Sequence, residues 1–467
     1  MMQINVNCRN SKKTTWLKQT GLALAALSLS INAAYAAATF DQPDSHFNGT
    51  VNAMGVHYAG DQVNINGRAF TPGQEIILLQ NGHVLTEKAL KADDKGNFST
   101  TITLPADAKS GQHAIVVQAA EPSTAAVFKL KVSTKFPQSG QDKFDITTES
   151  LVPGVYQSAY SPKSNAIFVT SAVGRPPVRE SQLLKVDPNT LKITASAKPA
   201  AQQDRDDGQV QAVYGVGVDD EHGTVWVTNT RSNTVAVYKQ ADLSLVKQFE
   251  NGAAPHARDV VIDSNKQRAY VSTPGAPTVA VFDTKTLKAL PAIELLSAGY
   301  ERPSPLSLAL DAEGGKLYTV SMNTNELFAV DLNKNETAVF ALPGALSASG
   351  VAIDAKRGHA YVASQGSDNI LIVDTKQGKV LHDIEIGAGA LNVVFDPTTD
   401  VAYAVSRGAG TLTVIQPDGN ILANLNLGSM PNHVSLDGQG NVYAVTKAQG
   451  KDDSLGGDRI SRIQLKK

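Results

Sequence analysis

The sequence predicts an all-β protein in which a seven-bladed β-propeller follows a small β-sandwich. A phrase of three short β-rich runs, clearest at residues 350–374, recurs along the chain. Its copies stand roughly 46 residues apart, the period of a propeller blade rather than of a helical hairpin repeat. Ahead of them, about ninety residues lack the phrase and carry short strand-like runs between Gly, Pro and Asp turns.

In chain order, the first stretch carries Arg9, Lys12, Lys13 and Lys18, then an apolar run at residues 21–31, then Ala34-Tyr35-Ala36. A charged segment, a short apolar core and a small-x-small site make residues 1–36 a secretory signal peptide. The expected location is therefore outside the cytoplasm, in the periplasm. The apolar run is short for a membrane span, and no other approaches twenty apolar residues. The only cysteine, Cys8, lies in that leader, so the exported chain has no disulfide, thiol nucleophile or thiolate metal ligand. A length of 467 residues suits two or three domains, and a net charge of −2 gives no global attraction to nucleic acid or anionic membrane.

Residues 41–134 form the expected sandwich, with strands at 62–66, 75–79, 97–104, 113–119 and 126–132. Its stretches NGRAFTPGQEIILL and DDKGNFSTTITLP resemble bacterial immunoglobulin-like modules of secreted and surface proteins. That resemblance implies a spacer or adhesive unit. Residues 135–143, polar with Pro and Gly, read as a linker, and the propeller occupies 144–467.

An aromatic anchors the middle run of each copy: Phe168, Trp226, Tyr270, Tyr318, Tyr361, Tyr403 and Tyr443. Seven residues before the second to sixth anchors stand Asp219, Asp263, Asp311, Asp354 and Asp396. Ser161 takes that place in the first copy, and Asp437 sits one residue closer in the seventh. Thirteen residues after the anchors come Asp283, Asp331, Asp374 and Gln416. These acids read as turn residues whose side chains bond hairpin backbone, not as catalysts. First strands such as Val260-Val261-Ile262 and Val393-Val394-Phe395 are apolar at successive positions, so neighbouring blades must cover both faces. The seventh copy ends after a third strand. A strand near Phe144 is expected to supply the fourth and close the ring as a clasp.

The copies RAYVSTPGAPTVAVFDTKTLK and HAYVASQGSDNILIVDTKQGKVLHDIEIG, with the ending GGDRISRIQL, resemble the YVTN-type repeats of the YncE-like β-propeller family of secreted bacterial proteins. The resemblance covers residues 144–467. It implies the seven-bladed fold and export, and leaves activity undefined.

Function is sought on a face of the ring. The hairpin face collects the recurring acids, whereas the loop face collects Arg231, Arg258, Arg302, Arg407, Lys447 and Lys451, with Arg175 and Arg179 in a longer first loop. Acids on the loop face include Glu180, Asp368, Asp452 and Asp453. Positions five and four before the recurring acid crowd the channel mouth: Tyr156-Gln157, Tyr214-Gly215, Arg258-Asp259, Leu306-Ser307, Ser349-Gly350, Leu391-Asn392 and Asn432-His433. The candidate ligand-binding set is Tyr156, Gln157, Tyr214, Arg231, Arg258, Asp259, Asn392, Arg407, Asn432 and His433. Arginine forks onto phosphate or carboxylate and tyrosine stacks on planar groups, so an anionic ligand fits, single-stranded DNA among them. A protein partner on the same face is an equal reading. Arg258 has a structural alternative in pairing with Asp259, and His256 and His433 in serving as turn histidines.

The competing chemical reading is a propeller lactonase using His256 as base and Arg258 as oxyanion partner. No covalent haem motif, P-loop or metal-ligand spacing occurs, so no cofactor or metal is expected. The exported protein is expected to be a monomer.

Overall fold

The computed structural model describes residues 42–86, 88–202, 205–448 and 456–466. The expected leader, residues 1–36, lies outside them, as do Lys451, Asp452 and Asp453. Strands make up nearly every element, joined by two single-turn helices at Gln141–Lys143 and Thr230–Ser232. The chain divides into two compact units, one drawing on residues up to Met54, Val63–Ile102 and His113–Leu130, the other containing all the blades.

The N-terminal region holds two antiparallel sheets. One joins Thr50–Ala53, Gln62–Arg68 and Phe98–Thr103, and the other His83–Val84, Glu75–Gln80, Gly111–Ala120 and Thr124–Val132, with Leu90–Lys91 at the side. Alternate residues turn inward, as the two-residue strand period requires: Val63 and Ile65, Ile76 and Leu78, Ile115 and Val117 are buried while their neighbours are more exposed. All five runs read from the sequence form strands here. The three it did not show are two to four residues long, too short to display a period.

Seven four-stranded antiparallel sheets follow. The first has strands Val155–Ser161, Ala166–Ala172, Ser181–Val186 and Ile193–Ala197, and its successors begin at Val216, Val260, Pro305, Ala348, Ala390 and Pro431. The first strand of each sheet touches that of the next, and Pro431–Leu436 returns to Val155–Ser161, so the ring closes. The seventh sheet runs Pro431–Leu436, Asn441–Thr446, Arg459–Leu465 and then Phe144–Ser150, which pairs Phe144 with Leu465 and Ser150 with Arg459. The expected clasp is present.

Packing explains the recurrence of the anchors. Seven buried clusters each combine side chains of two adjacent blades, one for every junction of the ring. Every anchor sits in the cluster shared with the following blade: Phe168 beside Val216 and Val225, Trp226 beside Phe282, Tyr361 beside Phe395, and Tyr443 beside Ile167 and Val169. One large ring per blade thus fills each junction. Burying such a ring stabilises the fold by about 1.5–3 kcal/mol.

The recurring acids close hairpins. Asp263 accepts the amide of Lys266 at 3.0 Å, Asp311 that of Gly314 at 2.8 Å, Asp354 that of Arg357 at 3.1 Å and Asp396 that of Thr398 at 2.9 Å. Ser161 does the same for Ser164 at 3.1 Å. At the second hairpin, Asp283, Asp331 and Asp374 each accept two successive amides. Residues 135–143 are also fastened: Ser139 and Asn424 exchange two backbone bonds of 3.0 Å.

Candidate functional site

The innermost strands carry irregularities where they reach the loop face. Register shifts occur between Val155 and Ser158, Pro305 and Leu308, Ala390 and Asn392, and Pro431 and His433. A bulge leaves ladder groups unpaired, and buried amides require partners. Five of the ten predicted site residues meet that need. Gln157 Oε1 accepts the Val216 amide at 3.2 Å, Asp259 the Leu308 amide at 2.9 Å, and Asn392 the Val434 amide at 3.0 Å. His433 Nδ1 accepts the Ser158 amide at 3.4 Å, and Asn432 Nδ2 donates to the Tyr156 carbonyl at 2.7 Å. Each bond runs from one blade to the innermost strand of the next. Hydroxyls two residues after the anchor add to the set: Thr170 donates to the Tyr214 carbonyl, Thr228 to Arg258 at 3.1 Å and Ser272 to Leu306 at 2.6 Å. Sequence reasoning missed these hydroxyls, although their shared offset in the first three copies was a visible signal.

Burial pushes the Asp259 carboxyl above its usual range, and the Leu308 amide and then Arg258 only partly offset this. The alternative role of Arg258, pairing with Asp259 or with an acid of a neighbouring blade, is not among the ion pairs of the described residues. Desolvation, with Arg258 nearby, drives His433 down to about 3, so its imidazole is neutral and its proton sits on Nε2.

The other five predicted residues form a cluster. Tyr156 and Tyr214 meet edge to face, with centroids 4.7 Å apart. The Arg258 guanidinium lies 5.9 Å from the Tyr156 ring centre. Arg231 bonds the Tyr214 hydroxyl, whose acidity burial suppresses. Arg407 is pushed below its ordinary range by burial and by Arg258, while the Tyr156 phenol opposes that shift. Its Nε is buried without a partner among the described residues. Lys447, placed on this face by sequence but left out of the set, puts its ammonium 4.0 Å from the Tyr156 ring centre. Tyr156 is thus approached by Arg258 from two blades away in one direction and by Lys447 from the adjoining blade, and its phenol interacts electrostatically with Arg407 from two blades away in the other.

Local structure holds the two tyrosines. Val178, in the loop after the second strand of blade one, packs with Ala212, Tyr214 and Tyr156, and its carbonyl accepts the Val210 amide at 2.9 Å. Gly215 is required by closeness: a Cβ there would lie 2.3 Å from the Arg258 carbonyl oxygen. His256 has φ of 54° and donates its amide to Asn233 Oδ1 at 2.7 Å. Desolvation, then Arg231 and Arg258, lower its basicity. Of the remaining loop-face arginines, Arg179 Nε donates to the Asp207 carbonyl, and Arg175 and Arg302 are exposed.

No family model matches the sequence. The chain is 25% identical over 343 residues to the uncharacterized protein YncE of Salmonella typhimurium, covering 69% of this chain and 91% of the relative. It is 24% identical over 349 residues to YncE of Escherichia coli K12, covering 70% and 93%. Among solved structures, the WD40 repeats of RRP9 match with a TM-score of 0.57 at 9% identity, over 71% of this chain and 99% of theirs. Virginiamycin B lyase from Staphylococcus aureus with quinupristin matches with a TM-score of 0.54 at 13% identity, over 69% and 99%. At these identities the structural likeness speaks for the fold alone. The chain is thus a β-propeller protein whose sequence is similar to the YncE proteins.

Proposed function

We propose that the loop face of the propeller is a binding surface for an anionic ligand, held at the channel mouth without chemical turnover. The observation that carries this reading is the gathering of Arg258, Arg407 and Lys447 about Tyr156, with Arg231 on Tyr214. None of the four cations takes part in an ion pair among the described residues. Like charges brought together in partly desolvated surroundings repel, and an anion seated among them relieves that repulsion. Single-stranded DNA is one ligand of this class, and for it the cations matter more than stacking. Tyr214 is buried, and Lys447 lies over the Tyr156 ring.

The leader expected from the sequence supports a periplasmic location, and the N-terminal two-sheet region is read as an immunoglobulin-like spacer. A protein partner on the same face is the second reading, favoured by Leu296 and Tyr300, which stand exposed in the loop entering blade four. In the hydrolase alternative His256 acts as base beside Arg258. Turnover of a model lactone that His256→Gln abolishes would favour it.

The test is binding of a fluorescent mixed-sequence single-stranded oligonucleotide at low and at physiological salt. Saturable binding that weakens with salt and with Arg258→Ala supports the anion site. Absence of binding at low salt sends the search to protein partners.

A further inference from the structure

Within the mouth, Arg407 differs from the other cations. Its backbone is fixed by the bond from its amide to the Gly389 carbonyl at 2.9 Å, and its Nε is enclosed without a hydrogen-bond partner among the described residues. A buried guanidinium nitrogen lacking an acceptor is costly, and Arg407 as a whole remains partly exposed. The Arg258 guanidinium and the Lys447 ammonium flank the same tyrosine, at 5.9 and 4.0 Å from its ring centre. Three acids of this region are engaged elsewhere: Asp259 accepts the Val260 and Leu308 amides, Asp458 those of Gly154 and Val155 at 2.8 and 3.0 Å, and Asp368 that of Gly389 at 2.6 Å. Glu180 lines the same cavity as Lys447.

Resting on the anion-binding reading, we propose that Arg407, Arg258 and Lys447 form a recessed subsite for one phosphomonoester group. A phosphoryl group carries up to two negative charges and three acceptor oxygens, enough to meet three cations from three blades at once. A carboxylate offers one charge and two oxygens, leaving one cation unmatched. A phosphodiester carries a single charge on two free oxygens and is equally short. The subsite therefore recognises a terminal phosphate, whether on a small molecule or on the end of a nucleic acid strand. Ring stacking is not required: a base on the face of Tyr156 covered by Lys447 would have to displace that side chain.

The test uses the protein without its leader and three probes in calorimetric titration: phenyl phosphate, benzoate, and an oligonucleotide with or without a 5′ phosphate. Saturable binding of phenyl phosphate in preference to benzoate supports the subsite with a small-molecule source, and a gain from the 5′ phosphate supports it with a nucleic-acid end. Arg407→Gln should weaken phosphate binding by about 10- to 100-fold, the loss expected for a charge-assisted bond. Lys447→Gln, at the rim, should weaken it by about 5- to 10-fold and guards against misfolding of the Arg407 variant. Lys334→Gln, on the opposite face, should change nothing. Absence of both phosphate effects while the unphosphorylated oligonucleotide still binds overturns the subsite and leaves the broader reading standing. Loss of all binding overturns both. Phosphate affinity unaltered in Arg407→Gln and Lys447→Gln also overturns the subsite.

Discussion

The ammonium of Lys447 stands 4.0 Å from the centre of the Tyr156 ring. The two residues are nearly three hundred positions apart in sequence but adjoin across the junction where blade seven meets blade one. At that distance a cation–π attraction holds the ammonium at the mouth and covers the aromatic surface from planar ligands.

A double-mutant cycle on Lys447→Gln and Tyr156→Leu should therefore show a coupling of about 0.5–2 kcal/mol in binding of an anionic probe. Independent, additive losses would show that the ring does not position the ammonium.

Fold and site meet at Gly215. Because a Cβ there would come within 2.3 Å of the Arg258 carbonyl oxygen, Gly215→Ala should cost about 1–3 kcal/mol and move the segment that carries Arg258. Urea denaturation reads the first effect and probe affinity the second. Both should fall together, whereas a stable variant with normal affinity would contradict the close approach.

Closure of the ring depends on Phe144, which is buried in the cluster shared by blades six and seven. Phe144→Ala should destabilise the protein by about 3–5 kcal/mol. Asp145→Asn, at an exposed neighbouring position, should stay within about 0.5 kcal/mol. Equal effects of the two changes in urea titrations would argue that the clasp adds little.

His433 gives the pH dependence a defined sign. Its folded value of about 3 lies below its ordinary 6.5, so the unfolded chain binds more protons between those limits. The stability it contributes is present above pH 6.5 and is lost as pH falls towards 3. Asp259, raised by burial, has the opposite slope above the ordinary carboxylate range. The difference between the wild type and His433→Gln isolates the histidine. Stability measured from pH 7 to 4 should fall less steeply in that variant, and parallel curves would refute the assignment.

How far the sequence carried can be judged from particular residues. The anchors were legible because each blade solves the same packing problem, a large ring at the junction with the next blade, so the solution repeats at a fixed offset. Asp263 and Asp354 were legible because turn chemistry is local: acceptor and amide are three residues apart. The clasp could be inferred because a ring with a missing fourth strand has two edges to cover. By contrast, the roles of Gln157, Asp259, Asn392 and His433 were hidden. Their partners lie on the next blade, a proximity that composition does not mark. Lys447 was placed on the correct face, but its seat over Tyr156 depends on ring closure, which no local pattern encodes.

The measurement that tests the central claim most directly is the salt dependence of single-stranded oligonucleotide affinity in the wild type and in Arg258→Ala, Arg407→Gln and Lys447→Gln. Each phosphate neutralised on a single strand contributes about 0.7 to the slope of log affinity against log salt. The cationic mouth predicts that each variant binds more weakly and with a shallower slope, the losses together amounting to about one phosphate. Slopes and affinities identical to those of the wild type would place anion binding elsewhere on the molecule.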